Sequence, residues 1–168
     1  DIAWHTEAIV DHLHDEPLIL IKKTTSRELA GATQIFIRSK NQKNIFVAAT
    51  SALDHLNLSV QDAKIYSSNS GYTIDTFFVL NQDGKPLGSN PTLLKKIQQT
   101  LQEELRLADN YSEVISRRTP RRLKYFAMPT RTNLSHDTVR NCSVLEVITP
   151  DRPGLLASIG RIFMQFEI

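Results

Sequence analysis

This sequence has little of several things, and each scarcity excludes something. Cys142 is the one cysteine in 168 residues, so no internal disulfide can form. A reducing, cytoplasmic setting is the expectation that follows. No apolar run approaches the roughly 20 residues that a bilayer-spanning helix needs. Neither sign of charge dominates: 20 basic and 18 acidic residues leave a net charge of +2. That balance is too even to argue for nucleic acid or a membrane surface, and neither is expected as a partner. No initiator Met and no signal peptide precede "DIAWHTEAIVDHL", so the chain is expected to begin inside a larger polypeptide. Catalytic constellations are missing as well. No Ser/His/Asp set, cysteine cluster or phosphate loop can be assembled, and no catalytic or metal-binding residue is assigned.

What is present is a run of short alternating and helical patterns. Ile2, Ile9 and Leu13, with Trp4 and Ala8, suggest a short helix ended by Pro17. "LILIKKT" (18–24) and "TQIFIRS" (33–39) read as strands of an antiparallel hairpin. Ile45, Phe46, Ala49, Ala52, Leu53 and Leu56 form one helical stripe, with Asn41 as its expected cap. In 58–68 the apolar parity changes between Val60 and Ala63, which predicts a bulge near Gln61–Asp62. After the turn "NSG", 72–80 is a second strand, closing a hairpin. Asn90 and Pro91 open a further helix in the order cap, then proline. Its buried stripe is Leu94, Ile97, Leu101, Leu105 and Ala108. "LKYFAMP" (123–129) gives a last strand. From Thr33 onward the order is βαββαβ, the α+β, ferredoxin-like arrangement of an antiparallel sheet with two helices on one face.

The chain also repeats itself. Shifting it by 110 positions brings Leu145 and Val147 onto Ile35 and Ile37. The same shift lays Leu155, Leu156, Ile159, Ile162, Phe163 and Phe166 on the helical stripe that starts at Ile45. Asp151 then falls on Asn41. No residue in this overlap is identical, so the repeat is one of pattern. One unit is complete and a second has only begun.

The turn of the second unit, "DRPGLL", carries the candidate site. Asp151 suits a helix cap, or an ammonium partner. Pro153 presets φ for a first helical turn. Gly154 lets a ligand approach the backbone. Free N–H groups at a helix start suit a carboxylate. Asp151, Arg152, Pro153, Gly154 and Leu155 could together hold an α-amino acid; a capped, well-packed turn is the alternative. The first unit has Asn41, Gln42, Lys43 and Asn44 instead, without glycine or carboxylate, so ligand binding there is not expected.

"LEVITPDRPGLLASIGRIF" resembles the start of an ACT domain, a small regulatory module. The wider order of "DIAWHTEAI", "PLILIKK", the block 33–87, "RRLKYFAMPT" and "DRPGLL" resembles the C-terminal region of the bacterial bifunctional uridylyltransferase/uridylyl-removing enzymes that modify the PII nitrogen-signalling protein. That resemblance implies a preceding HD domain ending in 1–16. It implies a first ACT domain with an extra N-terminal strand over 17–130. A linker and the start of a second ACT domain would fill 131–168. It implies glutamine as ligand, PII and the other parent domains as partners, and Mg for the parent enzyme's chemistry but no cofactor in this chain. Two other readings stand beside it: an ACT module that only docks PII or neighbouring domains, and an ACT module of a stringent-response synthetase or an amino-acid biosynthetic enzyme. The uncovered second unit also raises the expectation of self-association.

Two further stretches have chemistry-bearing residues. His12, His14, Asp15 and Glu16 could suggest a metal site, but a polar helix end is the expected role. "SRRTPRRLK" (116–124) is the strongest charge run and is expected to be a solvated loop. His55 and His136 stand alone and are expected at the surface.

Overall fold

Alternating apolar strands and striped helices need a shared core, and the computed structural model shows how they find it. It describes all residues except 1, 13, 14, 25–28, 30, 43, 109–127, 153, 167 and 168. The element order is α1 (Ile2–Asp11), β1 (Leu18–Lys23), β2 (Thr33–Lys40), α2 (Ile45–His55), β3 (Ser59–Ser67), β4 (Tyr72–Leu80), α3 (Pro91–Arg106), β5 (Arg131–Asp137), β6 (Cys142–Ile148) and α4 (Leu155–Gln165). Two compact units result. One holds the elements from α1 to α3 together with α4 from Leu156 on; the other holds the β5–β6 hairpin.

The first unit is α+β and ferredoxin-like in design, with a four-stranded antiparallel sheet in the order β1-β2-β4-β3. The hairpin expected from 18–24 and 33–39 forms, with Ile19 opposite Ile37 and Ile21 opposite Ile35. The expected bulge lies between Val60 and Asp62, where the β3–β4 register shifts. The strand expected over 123–129 falls outside the described residues up to Ala127, and Met128 and Pro129 are not in a strand. The sheet position beside β2 is taken by β1, the extra N-terminal strand.

Strand parity decides what each sheet face meets. Ile35, Ile37, Phe77 and Val79 face α2 and α3 and form one core with Ala49, Ala52, Leu53, Ile97, Leu101 and Leu105. Gln34, Phe36 and Thr76, of the other parity, are buried too. There α1 supplies the cover: His5 stacks on Phe36 at 4.3 Å and Trp4 tilts against it at 5.9 Å. α1 stops at Asp11, before the proline expected to end it.

The caps separate the two large helices. Asn90 caps α3 as expected, its side chain accepting from the N–H groups of Thr92 and Leu93. Asn41 does not cap α2. The cap position is Asn44, whose side chain makes no capping bond, while the Asn41 N–H donates to the Gly71 carbonyl at 2.8 Å.

α2 is buried along Val47, Ala48, Ala49, Thr50, Ser51, Ala52 and Leu53, more than one stripe allows. A helix buried around most of its girth needs several neighbours, and α4 is one. A Cβ added to Gly160 would stand 2.7 Å from the Phe46 ring and 3.2 Å from Val47. Each end of α4 is 110 positions beyond the matching end of α2. The face that α4 buries, Ala157 and Gly160, matches Val47 and Thr50 of α2 under that shift. The large apolar stripe of α4 is not the buried face: Ile162 is 50% and Phe166 72% exposed.

In the second unit, β5 pairs with β6. β5 lies in the stretch expected to be linker. Asp137 Oδ1 accepts from the N–H groups of Val139 and Arg140, closing the turn. Both repeats therefore read as hairpin, turn, helix.

Candidate functional site

Both turns between strand and helix share one backbone bond. The Ile45 N–H donates to the Gln42 carbonyl at 3.3 Å, and the Leu155 N–H to the Arg152 carbonyl at 3.1 Å, the same pair moved by 110 positions. They differ at the residue before the helix. Gly154 has φ +72°, a left-handed conformation that suits glycine. Its counterpart Asn44 has φ −112° and needs none. Asp151 and Arg152 are exposed, whereas Gly154 and Leu155 are half-buried. Pro153 lies outside the described residues. Since α4 starts at Leu155, Asp151 stands four residues before the first helical residue and outside the cap position expected for it. Its carboxylate is thereby left accessible at the turn.

β2, the strand that leads into the first turn, contributes to a polar cluster that the sequence reading did not single out. Ser39 and Thr73 face each other across β2 and β4, with hydroxyls 3.1 Å apart. The Thr73 hydroxyl also donates to Asp75 Oδ2 at 3.4 Å. All three side chains are buried, Asp75 to 1% exposure, on the sheet face that carries Phe77 and Val79. Burial pushes the Asp75 carboxyl up to about 7, against the opposing pull of Thr73 and the Tyr66 backbone. The signal was in the sequence: Thr73 and Asp75 have the parity of a core face.

Beside this cluster a cleft of about 250 Å³ is lined by Asp15, Glu16, Pro17, Ser39, Lys40, Gln42, Leu105 and Arg106. Its charges are matched in pairs. Lys40 meets Asp15 at 2.8 Å and Arg106 meets Glu16 at 2.7 Å. The Tyr72 hydroxyl donates to Asp15 at 3.0 Å. The hydrogen bond from Lys40, followed by that from Tyr72, holds the Asp15 carboxyl below its ordinary range. Asp15 and Glu16 thus tie the chain ahead of β1 to the ends of β2 and α3. His12 bonds the Glu16 carbonyl at 2.9 Å, and His14 lies outside the described residues. No group of His, Cys, Asp and Glu able to hold a metal ion occurs among the described residues. His136 is exposed. His55 is half-buried, with Nδ1 3.8 Å from Glu104. The basic run 116–124 lies outside the described residues, and Cys142 is exposed. Among the described residues no helix is long and apolar enough to cross a membrane.

Over its whole length the chain is similar to bifunctional uridylyltransferase/uridylyl-removing enzymes: it is 47% identical to that of Stutzerimonas stutzeri, 48% to that of Azotobacter vinelandii and 49% to that of Pseudomonas aeruginosa. It spans 19% of the length of these relatives. No protein-family model matches the chain, and neither does any solved structure.

Proposed function

We propose that this chain is a regulatory, amino-acid-sensing segment of a bifunctional uridylyltransferase/uridylyl-removing enzyme, built from one ACT domain and the beginning of a second. The observation that carries the reading is the similarity of the entire chain to such enzymes at 47–49% identity. The ferredoxin-like sheet and the hairpin–turn–helix repeat support it. The ligand is glutamine, held at the second turn. Its carboxylate meets backbone N–H groups near Gly154, and its ammonium meets Asp151. Arg152, Pro153 and Leu155 complete that turn. The parent acts on PII with Mg-dependent chemistry located elsewhere in the polypeptide. Ligand binding shifts the balance between adding and removing uridylyl groups by preferring one enzyme state.

Calorimetry tests this. Glutamine should bind a protein that carries the complete second repeat, and Asp151→Ala should weaken it at least tenfold. Asp151 is exposed and outside the helix cap, so its loss should leave Tm nearly unchanged. Gly154→Val is a poorer probe, because its φ of +72° makes any side chain there strain the fold. Equal affinity of the parent and the Asp151→Ala variant would remove the proposed ammonium contact.

A further inference from the structure

A second cavity, of about 390 Å³, opens at the end of β2 away from the first turn. Small-molecule sites run from on the order of 300 Å³ upward, so the size is sufficient. Ile21, Pro86 and Leu94 give it apolar walls; Lys23, Thr33 and Ser89 give it polar groups. Lys23 and Thr33 are register partners on β1 and β2. Their side chains therefore leave the same sheet face roughly 5 Å apart. Ile21 and Ile35, the partners two positions along, lie on that face too. Thr33 is 4% exposed, and its hydroxyl accepts from the Leu87 N–H at 3.0 Å. A hydroxyl that accepts still has a proton to donate, and among the described residues no acceptor takes it. Lys23 likewise has no carboxylate partner among the described residues. Lys22 also lines the cavity but is engaged elsewhere, with Nζ 3.9 Å from the centre of the Trp4 ring. No Asp or Glu is in the lining. Helix α3 starts two residues after Ser89 and has no acidic residue in its first turn, so the positive end of its dipole is not offset there.

We propose that this cavity binds a small apolar carboxylate, its anion between the Lys23 ammonium and the Thr33 hydroxyl, its hydrocarbon body on Ile21, Pro86 and Leu94. Two donors on paired strands, one of them charged, match the two oxygens of a carboxylate. A cation would meet Lys23 with no counter-charge in the lining. A wholly polar anion would gain nothing from the three apolar walls. The cleft beside Ser39 and Gln42 has the contrasting character, since Asp15 and Glu16 already match its Lys40 and Arg106. The proposal does not rest on glutamine binding at the second turn, whose residues are not in this lining.

The test is an amide-resolved NMR titration of the chain with cyclohexanecarboxylate. Cyclohexanol supplies the body without the charge, acetate the charge without the body, and cyclohexylamine the opposite charge. Saturable shifts at Ile21, Lys23, Thr33, Ser89 and Leu94 are expected with cyclohexanecarboxylate. The three controls should bind about tenfold more weakly or not at all. Lys23→Met keeps the apolar stem and loses the charge. It should weaken binding about tenfold or more, the worth of a hydrogen bond to a charged group. Lys23 is exposed, so Tm should barely move, and Lys23→Arg should restore binding. Ser89→Asp puts a negative charge at an exposed position of the lining and should also weaken binding. Equal binding of cyclohexanol would mean an apolar hollow without anion recognition. Equal binding of acetate would mean a lysine that meets any anion. Either result overturns the site, as does an absence of saturable shifts or full affinity in Lys23→Met. Shifts at Asp151 and Leu155 are read separately, so each site can fail alone.

Discussion

Asp75 is the residue whose chemistry departs most from its surroundings. It occupies a core position on β4, opposite Ile37 and Ile65 on its two neighbouring strands. Burial favours its neutral form, raising the carboxyl from 3.8 to about 7. The sign of the linkage follows. Between those values the unfolded chain releases a proton that the folded chain keeps, so this group's contribution is greatest below pH 3.8 and declines as pH rises to about 7. The decline is on the order of 4 kcal/mol, at about 1.4 kcal/mol per tenfold change in proton affinity. Asp75→Asn should therefore gain stability relative to the parent as pH rises from 4 to 8. Urea unfolding at several pH values measures this, and a constant difference between the two proteins would refute it. The polar character of this position was legible in "YTIDTFFVL", where Thr73 and Asp75 share the parity of Phe77 and Val79. Ser39 joined them only through the β2–β4 register.

Helices α2 and α4 show how an element's surroundings exceed its pattern. The stripe from Ile45 to Leu53 predicts the face of α2 on the sheet, and that face is buried. The burial of Val47 has another source, the approach of α4 at Gly160. Gly160→Val should push α4 off α2, costing about 1–3 kcal/mol of overpacking. Hydrogen exchange should then quicken along Leu156–Gln165 while β2 and β4 stay protected. Unchanged protection of α4 would show that the Phe46 ring yields without cost. α1 offers a second test. Its His5 accepts from the Gln34 amide at 3.2 Å, which requires an unprotonated Nε2. Burial, then the nearby Lys22, lowers the His5 pKa from 6.5. The docking contribution of His5 is thus complete above pH 6.5 and is lost as pH falls through its lowered value. Trp4, the one tryptophan of the chain, tilts against Phe36 and reports on this docking. Its emission should redshift on acidification in the parent and lose that step in His5→Phe. An identical step in both would assign it to another group.

At the scale of the molecule, the repeat is the organising feature. Helix ends, the turn hydrogen bond and the helix-packing faces recur at one spacing of 110 residues. On the proposed reading, an enzyme carrying this segment with Asp151→Ala should keep both activities without glutamine. It should lose most of glutamine's effect on their ratio, a coupling typically worth about 5–150-fold. Assays of uridylylation and deuridylylation across a glutamine series decide this. An unaltered response would move glutamine sensing away from the second turn.

The sequence alone determined the elements whose signal is local. Period-two and helical stripes placed β1 to β4, α2 and α3, Asn90 and Pro91 marked the start of α3, and a parity change located the bulge after Val60. The repeat and its turn at Asp151–Leu155 were legible for the same reason, as patterns within a short stretch of chain. Tertiary structure decided what depends on residues far apart in sequence. It buried Phe36 beneath α1. It chose the small face of α4 over its large apolar stripe, because Gly160 permits a close approach to Phe46. It also linked Ser39, Thr73 and Asp75, since two strands must pair before hydroxyls 34 positions apart can meet.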